Sequence, residues 1–163
     1  MDRFTPTRSI SNPRLGDVTQ AMIQFAHKGK QDLEVRRLCE VICQDLWQGD
    51  YASECLAIYY WVCQNIRYMR DIHDVEFVKE PSQLIRTKAG DCDDMATLLA
   101  AMLMAMGNRC DFILAHFRGS PAPEHVYVRV ITPKGTPIIL DPVANRDTKR
   151  MVKELTDYQV IRV

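Results

Sequence analysis

The chain has 163 residues, 21 Lys and Arg against 21 Asp and Glu, and 47% hydrophobic residues. That balance excludes a disordered chain and lacks the basic excess of a nucleic-acid binder. The longest apolar run, residues 95–106, has twelve residues with one Thr, short of the about 20 that a membrane-spanning helix needs. Residues 1–13 carry no apolar signal-peptide segment. The expectation is one soluble domain over residues 1–163, cytoplasmic, with no nucleic-acid or membrane partner. The cysteines, six in number, are then expected as thiols rather than disulfides.

Residues 1–15, with Pro6 and Pro13, read as a loose arm. Asp17 is a candidate N-cap, with Gln20 at the capping-box position, for a first helix carrying Val18, Ala21, Met22 and Phe25. A second helix starts at Asp32, carries Val35, Leu38, Val41, Ile42 and Leu46, and stops at Gly49. Asp50 caps a third helix that runs to Arg67. Its centre, residues 55–63, has no charge, which predicts burial on all sides. Residues 68–89 lose periodicity and read as a surface loop with one helical turn near Gln83.

The fourth helix opens at Gly90-Asp91-Cys92 and ends at Gly107, with Asp91 as N-cap and Asp93 and Asp94 in its first turn. Beyond it the period changes to two, which predicts strands over 109–117, 124–131 and 136–140. A charged helix at 148–155 and a strand at 158–163 complete the pattern. Helices first and strands later indicate α+β, with N-terminal helices packed on a C-terminal antiparallel sheet.

Cys92 stands where a nucleophilic thiol is well placed, because a helix N-terminus stabilises the thiolate. Asp91, Asp93 and Asp94 oppose that, so a neighbouring imidazolium is needed. His125 is the candidate base. Val126, Val128 and Val130 form the core face of its strand, and His125, Tyr127 and Arg129 share the other. A base needs an orienting group, and Asp141 is the candidate. A three-residue turn, 133–135, with Gly135 left-handed places Thr132 opposite Thr136. Asp141 then lies opposite Tyr127 and diagonal to both His125 and Arg129. Slippage by one residue would send Asp141 to the other face. A plain Arg129–Asp141 ion pair is the competing account of that carboxylate.

These residues resemble the transglutaminase-like superfamily, in the papain-like group of thiol enzymes. The matching pieces are Asn65-Ile66-Arg67-Tyr68 with Asp71, Ala89-Gly90-Asp91-Cys92-Asp93-Asp94, the helix ending at Gly107, His125-Val126-Tyr127-Val128, and Leu140-Asp141-Pro142. The compact bacterial and bacteriophage members with Gly-Asp-Cys-Asp-Asp are the most similar. Pro137-Ile138-Ile139 stands where many members carry a Trp. The resemblance implies a papain-like/transglutaminase-like core, with Cys92 as nucleophile, His125 as base and Asp141 as orienting acid. It implies acyl transfer on an amide through a thioester, by a peptidase or amidase with a protein or peptide substrate. The backbone N–H of Cys92 is one natural oxyanion donor. Gln83, Asn65, Tyr68 and Trp61 are alternatives for the second.

The remaining signals are weaker. Cys39 and Cys43 share a helix face, but no second pair stands near, so the spacing calls for neither a metal nor a cofactor. Cys55, Cys63 and Cys110 read as core thiols. His116, the rival base, shares the face of Phe112 and Leu114 and reads as buried, whereas His27 and His73 read as surface residues. The alternative function is a non-catalytic structural or assembly protein that keeps the fold, virion-associated if phage-encoded.

Overall fold

The computed structural model describes residues 8–11, 15–70, 75–117, 122–143 and 155–163. The chain runs β1 (Arg8–Ser11), α1 (Leu15–Gly29), α2 (Leu33–Cys43), α3 (Tyr51–Asn65), β2 (Arg67–Tyr68), β3 (Val75–Val78), α4 (Pro81–Thr87) and β4 (Ala89–Gly90). It continues with α5 (Cys92–Ala105), β5 (Arg109–Phe117), β6 (His125–Ile131), β7 (Pro137–Leu140) and β8 (Leu155–Arg162). Asp71, His73 and most of the expected helix at 148–155 lie outside the described residues.

The architecture is α+β, with N-terminal helices packed against a C-terminal antiparallel sheet of strand order β7-β6-β5-β8. α5 is the middle layer. It touches α1, α2, α3 and α4 on one side and β5 and β6 on the other. Every residue from Asp94 to Leu103 is therefore buried. The helix apolar on all sides is α5, not α3. α3 buries Cys55, Ile58 and Val62 but leaves Leu56 and Tyr60 39% and 50% exposed, because it packs on the rim of the bundle.

The caps explain where helices start. Asp32 Oδ1 accepts from Glu34 N at 2.8 Å, and Asp50 Oδ1 accepts from Ser53 N at 3.3 Å. α1 begins at Leu15, so Asp17 sits in its first turn instead of capping it. α2 ends at Cys43, before Leu46 and Gly49. Within the expected surface loop at 68–89, α4 supplies the expected helical turn at Gln83, and the other described residues add short strands. β2 pairs with β4 in parallel, α4 starts on Pro81, and Lys88 ends it in the left-handed conformation, φ 57°. Residues 8–11 of the expected arm pair with β3.

The β6–β7 hairpin has Val128 opposite Leu140 and Ile131 opposite Pro137. Thr132 N donates to Thr136 O at 3.0 Å, and Gly135 has φ 84°. The turn thus has the expected register, which keeps Asp141 on the face of Tyr127 and His125.

Candidate active site

The N-terminus of α5 is held by contacts that only certain residues can make. Gly90 pairs with Tyr68, and Met69 N donates to Gly90 O at 2.8 Å. A Cβ at Gly90 would lie 2.6 Å from Asp94 Oδ2 and 2.8 Å from Leu84 Cδ1, so a side chain has no room there. Asp94 is fully buried and clamped to Lys79. Its Oδ1 accepts from Lys79 N at 2.7 Å and its Oδ2 from Lys79 Nζ at 2.6 Å. Asp91 caps α5 by accepting from Asp94 N at 3.1 Å.

The carboxylates around Cys92 therefore differ. Asp94 is paired with Lys79 Nζ. Burial pushes the Cys92 thiol well above its ordinary value, and Asp93 and then Asp91 push it further. A backbone hydrogen bond from Val126 works in the opposite direction. The S–H donates to Asp93 Oδ1 at 3.7 Å. Burial and the flanking carboxylates thus favour the protonated sulfur over the thiolate.

Across from it, His125 Nε2 stands 2.6 Å from Asp141 Oδ2, with side chains 11% and 9% exposed. Low exposure strengthens such a pair by excluding competing water. Asp141 Oδ1 accepts from Val143 N at 3.0 Å, and Tyr59 Oη donates to the Asp141 carbonyl at 3.1 Å. The carboxylate is held from its own turn and from α3. Phe117 and Tyr127 flank the imidazole, with ring centroids 6.5 and 6.2 Å away. Arg129 is committed to Asp111 through Nε at 3.0 Å and Nη2 at 2.7 Å, so the competing account of Asp141 falls away.

A cavity of about 340 Å³ brings Cys92 and His125 together, with Asp91, Asp93, Glu124 and Val126 in its wall. No hydrogen bond joins the Cys92 sulfur to the imidazole among the described residues. Val18, Thr19 and Met22 of α1 also line the cavity. They escaped the sequence reading because they look like one amphipathic stripe, and only the buried hydroxyl residue Thr19 breaks it. Gln83 lies on α4 and does not line this cavity. Asn65 Nδ2 donates to Trp61 O at 2.9 Å, and Lys88 covers the Trp61 ring at 4.7 Å. His116 is partly exposed beside Gln159 instead of buried, at a register shift in β5. Cys43 and Cys63 are only partly buried, and Cys39, Cys55 and Cys110 are core thiols. Among the described residues, no three His, Cys, Asp or Glu side chains could hold a metal ion, and no helix is long and apolar enough to cross a membrane.

No curated protein matches the chain. Solved structures do. A candidate protease from Parabacteroides distasonis aligns with TM-score 0.59 and 15% identity over 76% of this chain and 26% of its own. A candidate cysteine protease from Cytophaga hutchinsonii aligns with TM-score 0.57 and 17% identity over 96% of this chain and 62% of its own. Calcium-bound LapG of Legionella pneumophila aligns with TM-score 0.52 and 19% identity, covering 84% and 80%. The chain spans about a quarter of the first of these and under two-thirds of the second. At these identities the likeness is one of fold. Residues 42–142, more than half of the sequence and including Cys92, His125 and Asp141, match the model of the family Transglut_core, so the chain belongs to the transglutaminase-like superfamily.

Proposed function

We propose that the protein is a thiol hydrolase of the Gly-Asp-Cys-Asp-Asp type. It cleaves an amide in a protein or peptide substrate through a Cys92 thioester, with His125 as base and Asp141 as orienting acid. The observation that carries this is the 2.6 Å His125–Asp141 pair beside the cavity that Cys92 lines. Asp141 occupies Nε2, which leaves Nδ1 for the thiol.

Preference for the protonated thiol makes His125 a general base instead of one half of a standing ion pair. Imidazole takes the S–H proton as sulfur attacks the carbonyl carbon. The oxyanion is met by the backbone N–H of Cys92 at the α5 N-terminus. The imidazolium then gives its proton to the leaving amine as the C–N bond breaks. Water attacks the thioester with His125 again as base, releasing the acid and restoring the thiol. An amine in place of water would give transamidation by the same steps.

The test is to trap the acyl-enzyme. Incubation with activated peptide esters should add one acyl mass at Cys92, found by peptide mass mapping. His125→Ala should slow acylation by about 10²–10⁴-fold. Acylation no faster than that of a free peptide thiol would instead favour the non-catalytic structural reading, which the acidic surroundings of Cys92 also suit.

A further inference from the structure

We propose that a hollow beside the Cys92 cavity is a substrate subsite that takes an uncharged side chain two or three residues from the reacting amide. This rests on the reading of Cys92 as an amide-attacking nucleophile. The hollow has a volume of about 410 Å³ and shares Thr19 and Leu114 with the Cys92 cavity, so the two adjoin. One wall is a single face of α1, where Gln20, Ile23 and Gln24 recur at helical spacing. The floor continues from Leu114 to Gln159 and Ile161.

The sheet register gives the direction from one to the other. Val126 stands opposite Leu114, and Leu114 opposite Gln159, one row across β6, β5 and β8. Neighbouring strands lie about 4.8 Å apart, so the row covers about 10 Å. An extended peptide advances about 3.3 Å per residue. With its reacting carbonyl at Cys92, such a peptide brings a side chain two or three positions away to Gln159.

The two cavities differ in charge. The Cys92 cavity carries Asp91, Asp93 and Glu124. None of the described residues lining the hollow is charged. Ile23, Leu114 and Ile161 supply apolar surface, and Gln20, Gln24 and Gln159 supply amides; the Gln159 amide also lies 3.4 Å from His116 Nε2. A charged side chain seated there would lose water without gaining a counter-ion, whereas an aliphatic or amide side chain would lose little.

The test uses internally quenched peptides in which one lysine is scanned along both sides of the reacting amide, at pH 7.5. In the wild type, lysine at one position two or three residues away should lower kcat/KM on the order of tenfold relative to glutamine there. The double variant Gln20→Glu, Gln24→Glu changes two exposed side chains, so its fold should hold. It should raise kcat/KM for that lysine peptide, relative to the glutamine peptide, on the order of tenfold. Cleavage that is indifferent to lysine at every position, or a double variant with unchanged selectivity, overturns the subsite while Cys92 acylation persists. If no peptide acylates Cys92, the thiol reading falls and the subsite falls with it.

Discussion

Asp93 is the side chain whose charge acts most strongly on the Cys92 thiol. It accepts the hydrogen bond of the S–H and raises the thiol more than any other charge, second only to burial. Replacing it with Asn removes a negative charge that disfavours the thiolate. The thiol value should then fall, and a fall of one unit means about tenfold more thiolate at neutral pH. Iodoacetamide labelling of Cys92, followed against pH, should show the wild-type midpoint above that of a free peptide thiol and the Asp93→Asn midpoint lower. An unmoved midpoint would mean that desolvation alone sets it. Asp141→Asn tests a different property. Asn can still accept from Val143 N, so the turn should survive. Its amide can stand in place of Oδ2 as a donor to Nε2 and favour the wrong tautomer. On the proposed mechanism kcat should drop about 10⁴-fold with unchanged thermal unfolding, measured on the same preparation.

At the scale of elements, the site is an α5 tip set against the start of the β6–β7 hairpin, and each has its own lock. The hairpin lock is the Thr132–Gly135 turn, which was legible because a three-residue loop ending in glycine leaves one comfortable register. The α5 lock is the Gly90–Asp94–Lys79 arrangement, which was not legible. Lys79 sits in a stretch with no period, and the closeness of Gly90 to Asp94 depends on β2 and β4, pairs of residues too short for alternation to show. The sequence reading therefore counted Asp94 with Asp91 and Asp93, although it is paired with Lys79. Lys79→Met should cost more than Gly90→Ala. Removing the ammonium takes away the cation that faces a fully buried carboxylate, a loss of about 3–5 kcal/mol. Adding a methyl at Gly90 forces Asp94 and Leu84 to shift, about 1–3 kcal/mol. Urea unfolding of both variants checks the order, and the reverse order would mean that Asp94 matters for space more than for charge.

For the molecule as a whole, the helical layer was legible as helices but not as layers. Apolar content placed α3 inside and gave α5 a single core stripe, yet α5 is the one enclosed. Composition along a helix counts apolar residues but does not say how many neighbours will surround it, and only the sheet and the bundle closing on α5 decide that. The same enclosure fixes the state of the core thiols. Burial pushes Cys39 up to about 12 and Cys55 to about 11, with Cys43 adding to the first and Glu54 to the second, and Cys110 is raised too. In the unfolded chain each titrates near about 8.5. The folded state therefore holds these protons above pH 8.5, when the unfolded chain has lost them, and stability must fall as pH rises. The loss continues until the folded values are reached. Between pH 8.5 and 10 each such thiol costs about 2 kcal/mol, at about 1.4 kcal/mol per pH unit. Urea unfolding at pH 8 and pH 10 should show the wild type losing stability steeply. Cys39→Ala, Cys55→Ala should begin lower, because it leaves cavities, yet lose about 4 kcal/mol less over the same interval. Parallel pH dependence in the two proteins would mean that other groups, Tyr59 and Tyr127 among them, govern alkaline unfolding, since burial raises both phenols as well.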